Sequence, residues 1–250
     1  MLAQERQDYI AQLVRERGTV SASFLVHELK SSVSTIRRDI DELDREGRVS
    51  KVYGGATAPG SLSYETTERT NDEKYSLNVE AKDAIGRYAA SLVEPGDFVY
   101  IDTGSTTECL VNHLEQVDAT YVTNSTTTAQ KLVRKGFRTL MLGGELKGST
   151  DALFGPGAIA SLELYHFTKG FWGCNGVTRA QGFTTPDVNE AQVKRLAMER
   201  TGVRYVLCDA DKIGRVAPIT FAKFSFAVLV TYELRNEQYK KFSNVVEVSA

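Results

Sequence analysis

The stretch Ser31-Ser-Val-Ser-Thr-Ile-Arg-Arg-Asp-Ile-Asp-Glu-Leu-Asp-Arg-Glu-Gly47 reads as a capped helix with a single apolar stripe. Val33, Ile36, Ile40 and Leu43 recur at spacings of three and four, so one face carries all four and is expected to be buried. Ser31 or Ser32 can accept a bond from the free N–H groups of the first turn, and Gly47 can end the helix. Ser32, Ser34, Thr35, Arg37 and Arg38 gather off the stripe toward the N-terminal half. In a helix laid in a DNA major groove, that part meets base edges and phosphates. The remaining residues are mostly acidic and are expected to face away from DNA.

The flanking sequence builds a unit around this helix. Residues 4–17 form an amphipathic pattern with Ile10, Leu13 and Val14 inward, Gly18-Thr-Val20 breaks it, and Ser21 can cap a short second helix bearing Phe24, Leu25 and Leu29. Three helices with tight turns spell a helix-turn-helix. Beyond Gly47, Val49 and Val52 suit short strands and Gly54-Gly55 ends the run, which predicts a small hairpin or wing where Lys51 and Tyr53 can contact phosphates. Periodicity alone fits a three-helix unit with no DNA role equally well. Charge does not decide between them: residues 1–57 hold nine basic and nine acidic residues, so binding would rest on local placement and on two copies per site.

Thr35-Ile-Arg-Arg-Asp39, followed by Leu43, Gly47 and Tyr53-Gly-Gly-Ala56, resembles the N-terminal signature of the DeoR family of bacterial transcription regulators. Two positions depart from that pattern: Ser31, where a valine usually precedes the serine opening the recognition helix, and Lys30, where an aromatic or aliphatic residue is frequent. The Arg-Arg-Asp core is intact. The resemblance implies double-stranded operator DNA as a partner, and paired half-sites in turn imply a homodimer or higher homo-oligomer.

The 250 residues are 42% hydrophobic and 25% charged, an ordinary globular composition with room for a small domain and a larger one. No apolar run approaches the roughly 20 residues a bilayer span needs, and Met1 begins a polar helix instead of a signal peptide, so a cytoplasmic protein with no membrane partner is expected. Cys109, Cys174 and Cys208 are odd in number, far apart and without paired metal spacing, which suits small buried residues in a reducing compartment. His27, His113 and His166 form no zinc spacing either, and no metal or cofactor is expected.

Residues 58–77 are expected to form a linker: the run is polar, begins near Pro59-Gly60 and lacks sustained apolar periodicity. From Asn78 onward, helix and strand patterns alternate. Strands are expected at 98–101, 120–123, 139–142, 169–172, 204–208 and 227–230, with helices at 79–92, from Ser105, from Thr126 and at 188–200. Short apolar strands separated by helices predict a mainly parallel sheet covered on both faces. The fold class is therefore α/β: an N-terminal winged helix-turn-helix over residues 1–57 and a C-terminal α/β domain over 78–250, for which the DeoR resemblance implies sensing and oligomerisation. Ligands of such sheets bind at the carboxyl ends of the strands.

Polar residues collect at those ends. Asp102-Thr-Gly-Ser-Thr-Thr107 follows a strand and opens a helix, so Gly104, Ser105, Thr106 and Thr107 let backbone N–H groups approach an anion at a favourable helix N-terminus. The loop lacks the Gly-Lys-Ser/Thr ending of a P-loop and is no dinucleotide fingerprint. Thr123-Asn124, Gly143-Gly144 and Cys174-Asn175-Gly176 follow later strands, and Gly182-Phe-Thr-Thr-Pro-Asp187, which contains Thr184, precedes a helix with Glu190 and Lys194. Sugar hydroxyls need such mixed donors and acceptors, and Lys194 can face a phosphate. The competing reading of Glu190 and Lys194 is a surface pair one turn apart, worth roughly a few tenths of a kcal/mol.

These loops are similar to the DeoR-family sensor domain, which shares its architecture with ribose-5-phosphate isomerase and coenzyme A transferases. Asp102 through Thr107, Thr123, Asn124, Gly143, Gly144, Asn175, Gly176, Glu190, Lys194 and Asp209-Ala-Asp-Lys212 match family positions, and the matches span nearly residues 3–215. The resemblance implies a phosphorylated sugar as effector. Asn175-Gly-Val177 with Gly182-Phe-Thr-Thr-Pro-Asp187 looks most like repressors of fructose operons, which respond to fructose 1-phosphate; repressors of tagatose or galactitol pathways are close competitors.

The reading from another class is a sugar-phosphate isomerase. Such an enzyme needs a carboxylate base over the substrate carbon and a cation beside the enediolate. Asp102 and Lys194 are available. Asn175, however, stands where many relatives have aspartate and takes no proton at neutral pH, and an isomerase has no use for a winged helix. No catalytic residue is assigned, and Asp102 is expected to accept a bond from a sugar hydroxyl. Trp172 falls in an apolar strand and is expected in the core.

Overall fold

The computed structural model describes residues 2–52, 54–58, 63–64, 70–115, 118–234, 236 and 238–249. The chain divides into two compact units, Met1–Ser63 and Tyr64–Ala250. In the first, helices α1 (Ala3–Arg17), α2 (Ala22–Glu28) and α3 (Val33–Arg45) precede a hairpin of β2 (Ser50–Val52) and β3 (Gly55–Thr57). The breaker after α1 is itself a strand, β1 (Thr19–Ser21), which pairs antiparallel with β3 and makes the wing a three-stranded sheet. Ile10, Leu13, Val14, Leu25, Ile36, Ile40, Leu43 and Val49 form the core between helices and wing.

The termini of α3 follow from its sequence. Ser32 is the N-cap, accepting the Thr35 N–H at 3.1 Å. At the other end Gly47 adopts a φ of 70°, which lets the Arg48 N–H reach the Leu43 carbonyl at 2.9 Å and satisfies an orphan carbonyl. Val33 departs from expectation. It is 50% exposed, because at the first helical position the apolar stripe runs past its packing partners.

The second unit is a seven-stranded sheet with every neighbouring pair parallel. In chain order its elements are α4 (Val79–Ser91), β4 (Phe98–Ile101), α5 (Ser105–His113), β5 (Thr120–Thr123), α6 (Thr126–Arg134), β6 (Arg138–Met141), α7 (Pro156–Glu163), β7 (Phe167–Gly173), α8 (Val188–Glu199), β8 (Thr201–Leu207), β9 (Val228–Tyr232) and β10 (Val245–Val248). The spatial order is β10-β9-β8-β7-β4-β5-β6. Strand alternation splits the core in two. Tyr100, Val122, Trp172, Val206 and Leu229 face α7 and α8, whereas Val99, Ile101, Tyr121, Phe171, Leu207 and Val230 face α4 and α5. Trp172 is fully buried, as a core residue would be.

Several elements were not expected, among them helix α7 (Pro156–Glu163) and the hairpin of Glu145–Lys147 with Ala152–Phe154. The edge strand β10 comes from Val245-Val-Glu-Val248, a short β-branched run. The loops around Asn175 and Thr184 are strands, Gly176–Thr178 and Gly182–Thr185, of a small antiparallel sheet completed by Ile219–Ala222. Within 58–77, Asn71–Tyr75 is a helix with a reciprocal cap: Thr70 accepts the Glu73 N–H at 3.3 Å and Glu73 accepts the Thr70 N–H at 3.0 Å. Composition reads that segment as linker, but Thr70-Asn-Asp-Glu73 carries its own start signal. Pro59 and Gly60 lie outside the described residues.

Candidate functional site

The first candidate surface is the outer face of α3. Ser32, Ser34, Arg37 and Arg38 are exposed and Thr35 is half-buried. Val33, Ser34, Arg37, Arg38, Asp41 and Arg45 line one open hollow there. The Ser32 hydroxyl lies 2.8 Å from those of Ser34 and Thr35, so the cap is part of this polar face.

Not every acidic residue of α3 faces solvent. Asp39 is 3% exposed and accepts from Arg6 Nε at 2.5 Å and Nη2 at 3.0 Å, with Gln7 at 3.4 Å, tying α3 to α1. Lys51, expected on a phosphate, has its amine 2.5 Å from Asp41, and its N–H donates to Asp44 at 2.9 Å. Both side chains of the Lys51–Asp41 pair are over a third exposed, so the bridge is weak enough for a phosphate to compete with it. Tyr53 lies outside the described residues.

The second candidate site forms where β4, β5 and β7 end. Asp102, at the end of β4, is fully buried; its Oδ2 accepts from the Lys194 amine and from the Gly173 N–H at 3.2 Å. Lys194 also donates to the Gly173 carbonyl at 3.3 Å. Burial disfavours the charge on Lys194, but Asp102 and Glu190 outweigh it and hold the amine above the ordinary lysine range. Asp102 Oδ1 is buried with no hydrogen-bond partner among the described residues. The Tyr100 hydroxyl, electrostatically close to Asp102 and Glu190, and Trp172 Nε1 share that condition.

A connected polar chain runs beside this pair. The Thr103 N–H donates to Asn124 Oδ1 at 3.0 Å, and the Thr103 hydroxyl to the Thr150 carbonyl at 2.8 Å. The Thr150 hydroxyl donates to Glu190 at 2.8 Å, and Lys147 bridges Glu190 at 2.9 Å and Asp187 at 2.8 Å. Asp187 also caps α8, accepting the Asn189 and Glu190 N–H groups. Its burial opposes charge, but Lys147 and those N–H groups keep the carboxyl below its ordinary range. Glu190 and Lys194, 4% and 3% exposed, are thus not a surface pair; each has its own buried partners.

The start of α5 has a different character. Ser105, Thr106 and Thr107 are buried, and Gly104, the N-cap, supplies no side chain, so the first N–H groups carry no side-chain cap. By contrast Ser125 caps α6 and Asp187 caps α8. One turn into α5, the buried Glu108 binds the Lys131 amine and the hydroxyl of Tyr75, the last residue of the short helix Asn71–Tyr75. Burial first, then Glu108, pushes the Tyr75 hydroxyl well above its ordinary pKa.

The structure disperses the other expected residues. Thr123 accepts the Ser125 N–H at 3.1 Å and shapes the turn after β5. Thr184 is fully buried; its hydroxyl donates to the Gly176 carbonyl at 3.0 Å and accepts the Ala217 N–H at 2.9 Å, so both residues brace the small sheet. Asn175 Oδ1 accepts from Thr185 at 3.3 Å. Gly143 and Gly144 are exposed at the sheet edge, and a Cβ on Gly144 would come within 2.3 Å of the Phe154 carbonyl, so that glycine serves close packing. Lys212 lies half-buried in a single 3-10 turn, within electrostatic reach of a lysine that the motif search missed. That residue is Lys82 of α4, 4% exposed, which donates to the Lys74 carbonyl; burial lowers its pKa against the pull of Asp209. Lys147, Thr150 and Gly173 were missed as well. A lysine on the buried face of α4 is a signal that could have been read; the contacts of Lys147, 43 residues from Glu190 in the chain, left none.

Residues 77–232 match the DeoR C-terminal sensor domain, and residues 6–61 match the DeoR-like helix-turn-helix domain. The uncharacterized HTH-type transcriptional regulator FruR of Bacillus subtilis is 35% identical over 252 residues, covering 99% of both chains. The lactose phosphotransferase system repressor of Streptococcus mutans is 32% identical over 252 residues, again covering 99% of each. Among solved structures, ribose 5-phosphate isomerase A from Methanocaldococcus jannaschii is 15% identical over 54% of this chain and 55% of that one, at a TM-score of 0.42, too remote for any residue to be carried across.

Proposed function

The chain belongs to the DeoR family of transcription regulators, and on that premise we propose that it represses a sugar-utilisation operon of the fructose phosphotransferase type and is released by a phosphorylated sugar such as fructose 1-phosphate. Residues 1–57 bind operator DNA and residues 78–250 sense the effector and assemble the oligomer. Arg37 and Arg38 read bases and phosphates, with Ser32, Ser34 and Thr35 around them, Lys51 from the wing and Tyr53 as a further phosphate contact.

The observation that carries the effector reading is the orphan Oδ1 of Asp102. A buried acceptor without a donor is costly, and a polyol hydroxyl is a donor of the right kind. Next to it the uncapped start of α5 offers N–H groups and the hydroxyls of Ser105, Thr106 and Thr107 to a phosphate. With Asn124 Oδ1 occupied by Thr103, its amide N–H groups remain to donate, and Glu190 can accept. Tyr75, bound to Glu108 one turn beyond this anion site, gives the effector a route to the chain that leads to the DNA-binding unit. The sugar shifts the protein only if it prefers one arrangement over the other. The second relative is named a repressor of a lactose phosphotransferase system, which favours a different phosphorylated sugar in the same site; tagatose or galactitol phosphates are the alternative effectors.

Thermal denaturation against fructose 1-phosphate, fructose 6-phosphate, tagatose 6-phosphate and ribose 5-phosphate tests the site, since a ligand of the folded state raises the midpoint. A selective rise that Ser105→Ala abolishes is the expected result. Operator affinity in gel shifts that is identical with and without saturating sugar phosphate would sink the release mechanism.

A further inference from the structure

Strands β7 and β8 run side by side and parallel, with Gly173 opposite Leu207 as their last paired residues. Cys174 and Cys208 are the residues that follow directly on the two strand ends. Side chains alternate along each strand: Phe171 and Leu207 enter one core, Trp172 and Val206 the other. The same alternation returns both cysteines to the Trp172 side, where Cys208 is part of the core and Cys174 packs against it. The Cys208 thiol is held well above its ordinary range by a hydrogen bond to Cys174 and by burial. Adjacent strands lie about 4.8 Å apart, inside the roughly 4.4–6.8 Å between Cα atoms that a disulfide spans. Cys208 is 1% exposed while Cys174 is partly exposed, so solvent reaches the pair through Cys174.

The pair sits inside the candidate effector site. Cys174 is flanked by Gly173, which holds Asp102 and Lys194, and by Asn175; Cys208 is followed by the buried Asp209. Lys194 lies within electrostatic reach of Cys174, and Asp209 and Lys212 within electrostatic reach of Cys208. Cys109 stands apart on α5, and burial raises its pKa.

We propose that Cys174 and Cys208 form a peroxide-convertible dithiol in the sensor unit. The Cys174 thiol gives up its proton and its sulfur attacks a hydroperoxide oxygen; the O–O bond breaks, leaving a sulfenic acid, and the departing hydroxide (or alkoxide) takes that proton and leaves as water (or alcohol). The Cys208 sulfur then attacks the Cys174 sulfur, the S–O bond breaks, and water leaves with the Cys208 proton. Two thiols lose two electrons in total, the peroxide takes them up, and a dithiol reductant reverses the change. The disulfide fixes the ends of β7 and β8, and with them Gly173, Asn175 and Asp209.

The test treats the reduced full-length chain with hydrogen peroxide, blocks free thiols with iodoacetamide and maps tryptic peptides. The expected product joins peptides 170–179 and 205–212, two hydrogens lighter than their sum, with Cys109 alkylated. It reverts with dithiothreitol, vanishes in Cys174→Ser and in Cys208→Ser, and persists in Cys109→Ser. Cys208 fully alkylated after treatment, whether Cys174 is intact or singly oxidised, overturns the proposal. Oxidation is also expected to shrink the thermal shift given by fructose 1-phosphate at least threefold, an arm that rests on the effector reading. A linked peptide in a protein whose reduced form shifts with no sugar phosphate supports the dithiol and removes that reading instead.

Discussion

The two candidate sites are built in opposite ways. The face of α3 is assembled from one helix, and Arg37 and Arg38 are exposed with no bonded partner among the described residues. The site at the strand ends is assembled from segments spread over about 90 residues, and its charges are already bonded to one another, as in Lys194 on Asp102. An exposed site can be changed without disturbing the fold that carries it. A buried one cannot, because its functional groups are also structural partners.

Lys194→Ala should give the largest effect. It leaves Asp102 buried and uncompensated, and removing one partner of a buried pair costs about 3–5 kcal/mol. Urea unfolding of the second unit should register that loss, and an unchanged midpoint would break the contrast between the sites. Arg37→Ala or Arg38→Ala should cost about 1–3 kcal/mol in operator binding and leave the melting temperature unchanged. Wild-type affinity in both variants refutes the assignment of α3.

Acid should weaken the second unit more gently. Asp97 and Asp187 are both held below the ordinary carboxylate range. Depressed folded values mean that their stabilisation is complete above the unfolded pKa of about 3.9 and disappears as pH falls through the folded value. The second unit's melting temperature should therefore be flat from about pH 7 to 5 and fall below about pH 4; a flat profile to pH 3 contradicts this. Smallest of all, Lys51→Ala should change stability by less than about 1 kcal/mol, since its bridge to Asp41 is exposed, while lowering the salt dependence of operator binding by about one phosphate contact. An undiminished salt slope removes Lys51 from the interface.

The same contrast governs what the sequence discloses. Caps, stripe and outward arginines of α3 are local, set by spacings of three and four within one helix, and were legible. Asp39 was not, because its partner Arg6 lies 33 residues away and polar residues on a helix read as solvent-facing until the neighbouring helix is in place. In the larger unit six of the seven strands of the parallel sheet and the Asp102-to-Thr107 loop were legible from apolar runs and turn chemistry. Lys147 and Thr150 were hidden in a Gly-Ser-Thr stretch with the composition of a loop. Thr184 was misleading for the converse reason: a threonine next to a site motif carries no mark of whether its hydroxyl faces a ligand or a backbone carbonyl.

The unfilled acceptor on Asp102 has a consequence for the protein's lifetime. A buried acceptor left without a donor costs about 1–3 kcal/mol, which in the ligand-free chain would lower the free energy of local opening around the ends of β4 and β7. Proteases cut open forms, so turnover follows the population of those forms. A ligand that completes the bond at 100 times its dissociation constant adds about 2.7 kcal/mol. The regulator would then outlast its empty counterpart in the cell, and a past exposure to sugar would persist as an altered copy number after the sugar itself is gone.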